Sequence, residues 1–255
     1  MSLARALSRL GYGTRREAEA LIAARRVTSA NGRPWRASDQ PPPHDILVDG
    51  EPLDPPAGSV VLLHKPVGYV CSTSDRPPLV YELLPARFPH RDPVMATVGR
   101  LDADTSGLLL LTDDGALNHR LTSPRSHVAK TYEATLAEPL RGDEAEQFAS
   151  GTLRLAGESS PLLPATLTVL DATRVAVTVH EGRYHQVRRM FAAVGNHVQA
   201  LHRTAFGSVT LGDLAPGAWR LLTGDEVAAL AASAVKTKGA TPSTRPPADG
   251  SPDAG

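Results

Sequence analysis

The sequence predicts an α+β protein made of two units of unequal size, and three observations predict it. Residues 1–53 show helical periodicity and then two short apolar runs with Asn-Gly and Asp-Gly turns. Residues 54–59, "DPPAGS", read as a linker from their Pro and Gly content. Residues 60–232 alternate apolar strand-like runs with short helical patterns. The remainder, 233–255, is rich in Pro, Gly, Ser and Thr with almost nothing apolar to bury, so a disordered tail is expected.

Composition narrows the class. Apolar residues make up 41% of the chain but aromatics only 4%, so the core must be Leu, Val and Ala. Lys plus Arg equals Asp plus Glu at 27 each, and only the distribution of charge can point to a partner. A single cysteine, Cys71, excludes internal disulfides and Cys-rich metal sites. It reads as a small, half-buried apolar side chain. There is no apolar run long enough to span a membrane and no secretory h-region, so no membrane partner and a cytoplasmic location are expected.

The first element, "LARALSRLG", spaces Leu3, Leu7 and Leu10 for a helix that Gly11 stops, with Arg5 and Arg9 on one face. Thr14 and Glu17 form a capping box for the next helix, whose buried stripe is Ala18, Leu21 and Ile22. Arg15 and Arg16 sit in its first turn, where the helix dipole disfavours cations. Either they are solvated, or they and the turn's N–H groups meet an external anion such as phosphate. Met1 to Arg36 holds eight arginines and two acids, a basic unit inside a neutral protein. "VTSANGRPW" and "DILVDGEPL" supply its strands and turns.

In the large unit, "VVLLHKPVGYVCS" reads as strand, Lys-Pro-x-Gly turn and second strand. "VGRLDADTSGLLLLTDDG" reads as an extended Val98–Leu101, a loop over "ADTSG", and a buried strand from Leu108 to Leu111. Asp113 or Asp114 caps the helix that follows. A Mg²⁺ site on these acids is the competing reading, but Asp113 and Asp114 lie a strand's length from Asp102. Asp102 differs from them. It ends an apolar stretch beside small residues, and a cation is needed to keep it ionised. "HEGRYHQVRRMFAAVGN" places Val187, Met190, Phe191 and Val194 on one helix stripe closed by Gly195, with Arg183, Arg188 and Arg189 beside it. Gly182 to Gly212 contains no acid, four arginines and three histidines, which favours a polyanion over a solvated charged face. A second acid-free stretch, Gly115 to Tyr132, carries Lys130 and ends in "KTY". "RGDEAEQF" reads as a solvated amphipathic helix.

Two resemblances follow from these motifs. "SRLGYGTRREAEALIAARRVTSANG" resembles the S4-type RNA-binding domain, departing from it at Ser29-Ala30. "GRLDADTSGLLLLTDDG", "TSPRSHVAKTY" and "EGRYHQVRRMFAAVGNHV" resemble the bacterial rRNA pseudouridine synthases that carry an N-terminal S4 domain, most closely the branch acting on 16S rRNA. The resemblance implies a catalytic domain with a mixed, mainly antiparallel sheet and flanking helices, and the S4 unit as a mobile appendage on its linker. It implies catalytic residues Asp102 (nucleophile), Tyr132 (stacking on the target base) and Arg188 (partner of Asp102, preferred to Arg183). It implies an RNA surface of Arg5, Arg9, Arg15, Arg16, Arg25, Arg26, Arg100, Lys130, Arg183, His185 and Arg189, with Arg100 helping to hold the site open. It implies no cofactor and no metal, and a monomer acting on rRNA, free or in an assembling small subunit. Alternatives are a pseudouridine synthase of 23S rRNA, a non-catalytic rRNA-binding assembly factor, and a Mg²⁺-dependent phosphoryl-transfer enzyme.

Overall fold

The structure, a computed structural model, describes residues 1–72, 76 and 78–234. In chain order its elements are α1 (Leu3–Arg9), α2 (Arg15–Ala23), β1 (Val27–Thr28), β2 (Leu47–Val48), β3 (Glu51–Pro52), β4 (Val60–Lys65), β5 (Ala96–Thr97), β6 (Thr105–Thr112), α3 (Gly115–Thr122) and β7 (Lys130–Leu136). They continue as α4 (Glu144–Ala149), β8 (Thr166–Val169), β9 (Arg174–Val179), α5 (Gln186–Ala193), β10 (Val198–Phe206), β11 (Val209–Thr210), β12 (Trp219–Leu221) and α6 (Gly224–Ser233). The first two residues of the expected tail, 233 and 234, are ordered parts of the fold. Ser233 ends α6 and Ala234 is buried behind it, while 235–255 lies outside the described residues.

The N-terminal unit forms as its punctuation dictates. Thr14 accepts from the Glu17 amide and Glu17 reaches back, so α2 starts on a complete capping box. Asp49 and Gly50, both with positive φ, turn β2 into β3, and β1 closes a three-stranded sheet against β2. Leu3, Leu7, Ala18, Ile22, Val27 and Val48 fill a small core of their own.

The large unit is a mixed sheet in the order β12-β4-β6-β10-β7-β9-β8, with β5 on β6 and β11 on β10. Only β10 and β6 run parallel; the other pairings are antiparallel. β4 and most of β6 are buried on both faces, which is why they read as unbroken apolar runs rather than alternating ones. On one face, Val60, Leu62, Leu108 and Leu110 pack on α3 and α6. On the other, two clusters stand apart: Val61, Leu63, Leu109 and Leu111 under Val80, Phe88 and Met95, and the β7–β9 side chains under α4 and α5. Tyr132 belongs to both clusters and marks the gap between them.

Two expectations need correction. No second strand follows the Lys-Pro-x-Gly turn; Val70 makes only a single bridge to Leu79. Thr105-Ser106-Gly107 is strand rather than loop, because Gly107 (φ +109°) pairs so closely with β10 that a Cβ would lie 2.2 Å from the Arg203 carbonyl oxygen. The linker, for its part, makes specific contacts with the large unit. Asp54 is paired with Arg87, whose guanidinium lies 5.2 Å from the Tyr12 ring centre. Arg91 donates to the Pro55 carbonyl (2.8 Å), and the Gly58 and Ser59 amides donate to Asp113 (2.7 and 3.1 Å). Arg91 and Asp113 are themselves ion-paired at 2.8 Å with side chains only 1% exposed. Asp114, not Asp113, caps α3. Proline and glycine content signals an irregular segment, but not whether distant charges hold it.

Asp113→Ala would strand a buried guanidinium and free two linker amides. It is expected to cost about 3–5 kcal/mol of stability, read from the denaturant midpoint. Asp114→Ala, which removes only a helix cap, is expected to cost about 1 kcal/mol.

Candidate active site

Five strands contribute one transverse rung. Lys65 on β4 pairs in register with Gly107 on β6, Gly107 with Arg203 on β10, Arg203 with Tyr132 on β7, and Tyr132 with Val177 on β9. Residues paired this way point to the same face, the face with the gap between its two apolar clusters. A cleft of about 540 Å³ opens there, lined by Asp102, Lys130, Tyr132, Arg188 and Arg203 among others, within the usual range for small-molecule sites.

Asp102 does not end a strand, as the sequence suggested. It opens the tight turn into β6, in which the Thr105 amide donates to the Asp102 carbonyl at 3.1 Å. Three groups fix that turn. Lys65 is fully buried, and its ammonium donates to the carbonyls of Pro66, Asp102, Ala103 and Thr105 at 3.0, 3.0, 3.4 and 2.8 Å. The Gly68 amide donates to the Ala103 carbonyl at 2.7 Å. The Cys71 sulfur, its thiol pKa pushed up by burial, meets both the amide and the carbonyl of Leu101 at 3.4 Å. Backbone contacts therefore hold the turn, and the Asp102 carboxylate stays 38% exposed at the cleft.

The expected Arg188–Asp102 pair is not formed. Arg188 binds the Asp104 carboxylate at 3.0 Å and the Val198 carbonyl at 2.9 Å. Asp104 lies two residues on in the same turn and takes this cation. The side chain beside Asp102 is instead the His185 imidazole, whose Nε2 is 3.4 Å from its carboxylate. Arg183 also faces elsewhere, to Glu181 (3.0 Å) and the carbonyls of Ser160 and Pro161 (2.9 and 2.6 Å). Arg189 binds Glu158 (3.0 Å) and the carbonyls of Tyr184 and Ala156 (3.1 and 2.7 Å). Both residues, expected at the RNA surface, here tie the segment around Tyr184 to residues 156–161.

Two further groups shape the floor. Arg203 is 1% exposed, donates to the Leu108 carbonyl at 2.7 Å, lies 5.9 Å from the Tyr132 ring centre, and leaves one terminal nitrogen buried without a partner. Lys130 lies 5.4 Å from the Phe206 ring centre. Burial first, and then the Arg203 charge, pull its pKa down to about 8. Lys130 thus loses its charge near pH 8, where a lysine in water stays protonated. Polyanion affinity is expected to fall from pH 7 to pH 9 with a midpoint near 8, and Lys130→Gln is expected to remove that step. Titrating Kd against pH for both proteins at fixed salt checks this.

The arginines of the N-terminal unit differ in their local partners. Arg5, Arg16 and Arg25 are exposed and make no side-chain hydrogen bond or ion pair among the described residues. Arg9 pairs with Asp92 (3.6 Å), Arg15 with Glu19 (3.2 Å) and Arg26 with Asp49 (2.6 Å). Arg100 is exposed at the cleft, also without a partner among the described residues. Among the described residues no group of three or more His, Cys, Asp or Glu side chains is placed to hold a metal ion, and no helix is long and apolar enough to cross a membrane.

Sequence reasoning missed Lys65 and Arg203 as site residues. The signal for each is a long cation closing or interrupting an apolar strand, a position that also suits a side chain reaching water.

Comparison with known proteins places the chain in a family. The family described as RNA pseudouridylate synthase matches residues 59–193, which contain Asp102, Tyr132 and Arg188. The chain is 50% identical over 196 residues to the ribosomal small subunit pseudouridine synthase A of Escherichia coli (strain K12), covering 74% of this chain and 81% of that protein. It is also 50% identical over 198 residues to the Yersinia pestis protein of the same name, covering 75% and 81%. A crystal structure of a pseudouridylate synthase superposes with a TM-score of 0.65 at 40% identity, covering 90% of this chain and 99% of that one. The chain therefore belongs to the RNA pseudouridylate synthase family and is an isomerase that converts uridine in RNA to pseudouridine.

Proposed function

We propose that the enzyme isomerises a specific uridine of 16S small-subunit rRNA, with Asp102 as the nucleophile. The reaction breaks the bond from ribose C1′ to uracil N1, turns the base, and forms a bond from C1′ to C5. N1 gains a proton and C5 loses one, so no redox partner is required. An exposed carboxylate on a rigid turn suits both covalent attack and stabilisation of positive charge on the nucleotide. Tyr132, half-buried between the two apolar clusters, supplies a flat surface for the extruded base. Arg203, its guanidinium 5.9 Å from the Tyr132 ring centre, adds positive charge to the lining of the cleft. Arg100 at the rim meets the strand from which the base was taken. Arg188 serves by fixing Asp104 and so the turn that carries Asp102.

The N-terminal unit is proposed to be an S4-type RNA-binding domain. Its helix pair and three-stranded sheet fit that reading, and Arg5, Arg16, Arg25, Arg33 and Arg36 are exposed cations with no side-chain hydrogen bond or ion pair among the described residues. The observation that carries the functional reading is the Asp102 carboxylate, pinned through its backbone by Lys65 at a cleft lined with cations. The relatives' names point to the small subunit.

Tritium at uridine C5 is released as the new bond forms. Purified enzyme is expected to release about one equivalent from a 16S transcript, and none from 23S. Release from 23S alone would move the assignment to the large subunit. Release from neither, on naked or assembling RNA, would remove the proposed rRNA substrate.

A further inference from the structure

Tyr184 is the most exposed of the large apolar and aromatic side chains at the cleft, at 71%. Its ring is not loose. It stacks on His185 with ring centres 3.9 Å apart and planes 16° from parallel. His185 in turn contacts the Asp102 carboxylate at 3.4 Å. The backbone at His185 is left-handed (φ +47°), an uncommon conformation for a side chain larger than glycine, and both residues line the cleft. The segment is braced on both sides. The Arg183 guanidinium holds the Ser160 and Pro161 carbonyls, the Gln186 side chain accepts from the Arg183 amide at 2.9 Å, and Arg189 holds the Tyr184 carbonyl. A flat aromatic pair is thus fixed to a rigid wall with its outer face open to solvent.

We propose that Tyr184 and His185 form a stacking platform for a nucleobase of the substrate RNA next to the target uridine, with that base resting on the outer face of Tyr184. This rests on the reading above, in which Tyr132 takes the target base itself. Isolated exposed aromatics lower solubility and give the fold nothing. An aromatic held flat against a second ring, in a cleft lined with arginines and lysine, has the chemistry that binds unpaired RNA bases: a π face plus cations along the phosphate path. Stacking is tolerant of base identity, so the platform holds the strand in place after the uridine leaves it, and specificity comes from elsewhere.

The test is a cycle between protein and RNA. The substrate is 16S transcript in which the nucleotide on one or the other side of the modified uridine is an abasic ribose. With intact RNA, Tyr184→Ala is expected to raise KM by about 10-fold with kcat little changed, and Tyr184→Phe and Tyr184→Trp to restore it. At one of the two sides, the abasic RNA is expected to cost the wild type the same factor and the Tyr184→Ala enzyme nothing more. Thermal melting is expected to be unchanged, since the ring is exposed. Equal KM for Tyr184→Ala and wild type, or losses that multiply at both sides, would overturn the platform while leaving the isomerase reading intact. No turnover by wild type on intact RNA would overturn both.

Discussion

Asp102→Asn is expected to abolish pseudouridine formation, lowering kcat/KM by about 10⁴-fold or more, while RNA affinity and melting temperature stay where they are. The separation follows from how the turn is built. Lys65, Gly68 and Cys71 hold backbone atoms of residues 101–105, and none of them touches the Asp102 carboxylate. Asparagine keeps the shape and every one of those contacts. It removes the negative charge and the nucleophilic oxygen. Single-turnover tritium release, with filter binding on the same preparation, reads both quantities. A variant that lost binding in step with activity would mean that Asp102 organises the site instead of reacting in it.

Lys65→Met is expected to have the second-largest effect, by a different route. Lys65 touches no substrate. It is a positioning residue, and four carbonyls converge on its ammonium in a site closed to solvent. Methionine fills a similar volume but donates nothing. A buried acceptor left bare costs about 1–3 kcal/mol, and part of that is recovered if the turn opens to admit water. A loss of about 3 kcal/mol of stability is the expected net result. Opening the turn displaces Asp102, and a misplacement of about 1 Å can cost on the order of 100-fold in rate. The expected signature is a fall in kcat with KM nearly unchanged, plus a lowered denaturant midpoint. Lys65→Arg is not expected to rescue either, because a planar guanidinium cannot converge on four carbonyls in one small site.

Much of this architecture is legible in the residues. The capping box at Thr14 and Glu17, the α5 stripe of Val187, Met190, Phe191 and Val194, and the buried Leu108–Leu111 run are local signals, and the structure bears each out. The mixed, mainly antiparallel sheet implied by the resemblance is the sheet observed. What escaped depends on pairing between distant positions. Gly107 reads as a loop residue until β10 is laid against it, when its missing Cβ becomes the condition for close pairing. The linker's partners, Arg87 and Arg91, come from thirty-odd residues away, so its composition could not name them. At the site, the motif placed Asp102 and a basic helix together, but not which cation faces which acid. Asp102 and Asp104 share one turn, Arg188 reaches the second, and His185 stands beside the first. Lys65 was hidden for a related reason. At the end of an apolar strand a lysine looks like the point where the strand meets water, and only the returning turn of residues 102–105 buries it.

The central claim is that this chain places one pseudouridine in small-subunit rRNA through Asp102. The most direct test is a map of pseudouridines across that RNA, read as reverse-transcription stops at carbodiimide adducts. The cells would lack the gene and then be complemented with wild type or with Asp102→Asn. One stop lost on deletion, restored by wild type and not by the variant, is the expected result. A small-subunit map that is identical in all the strains would contradict it.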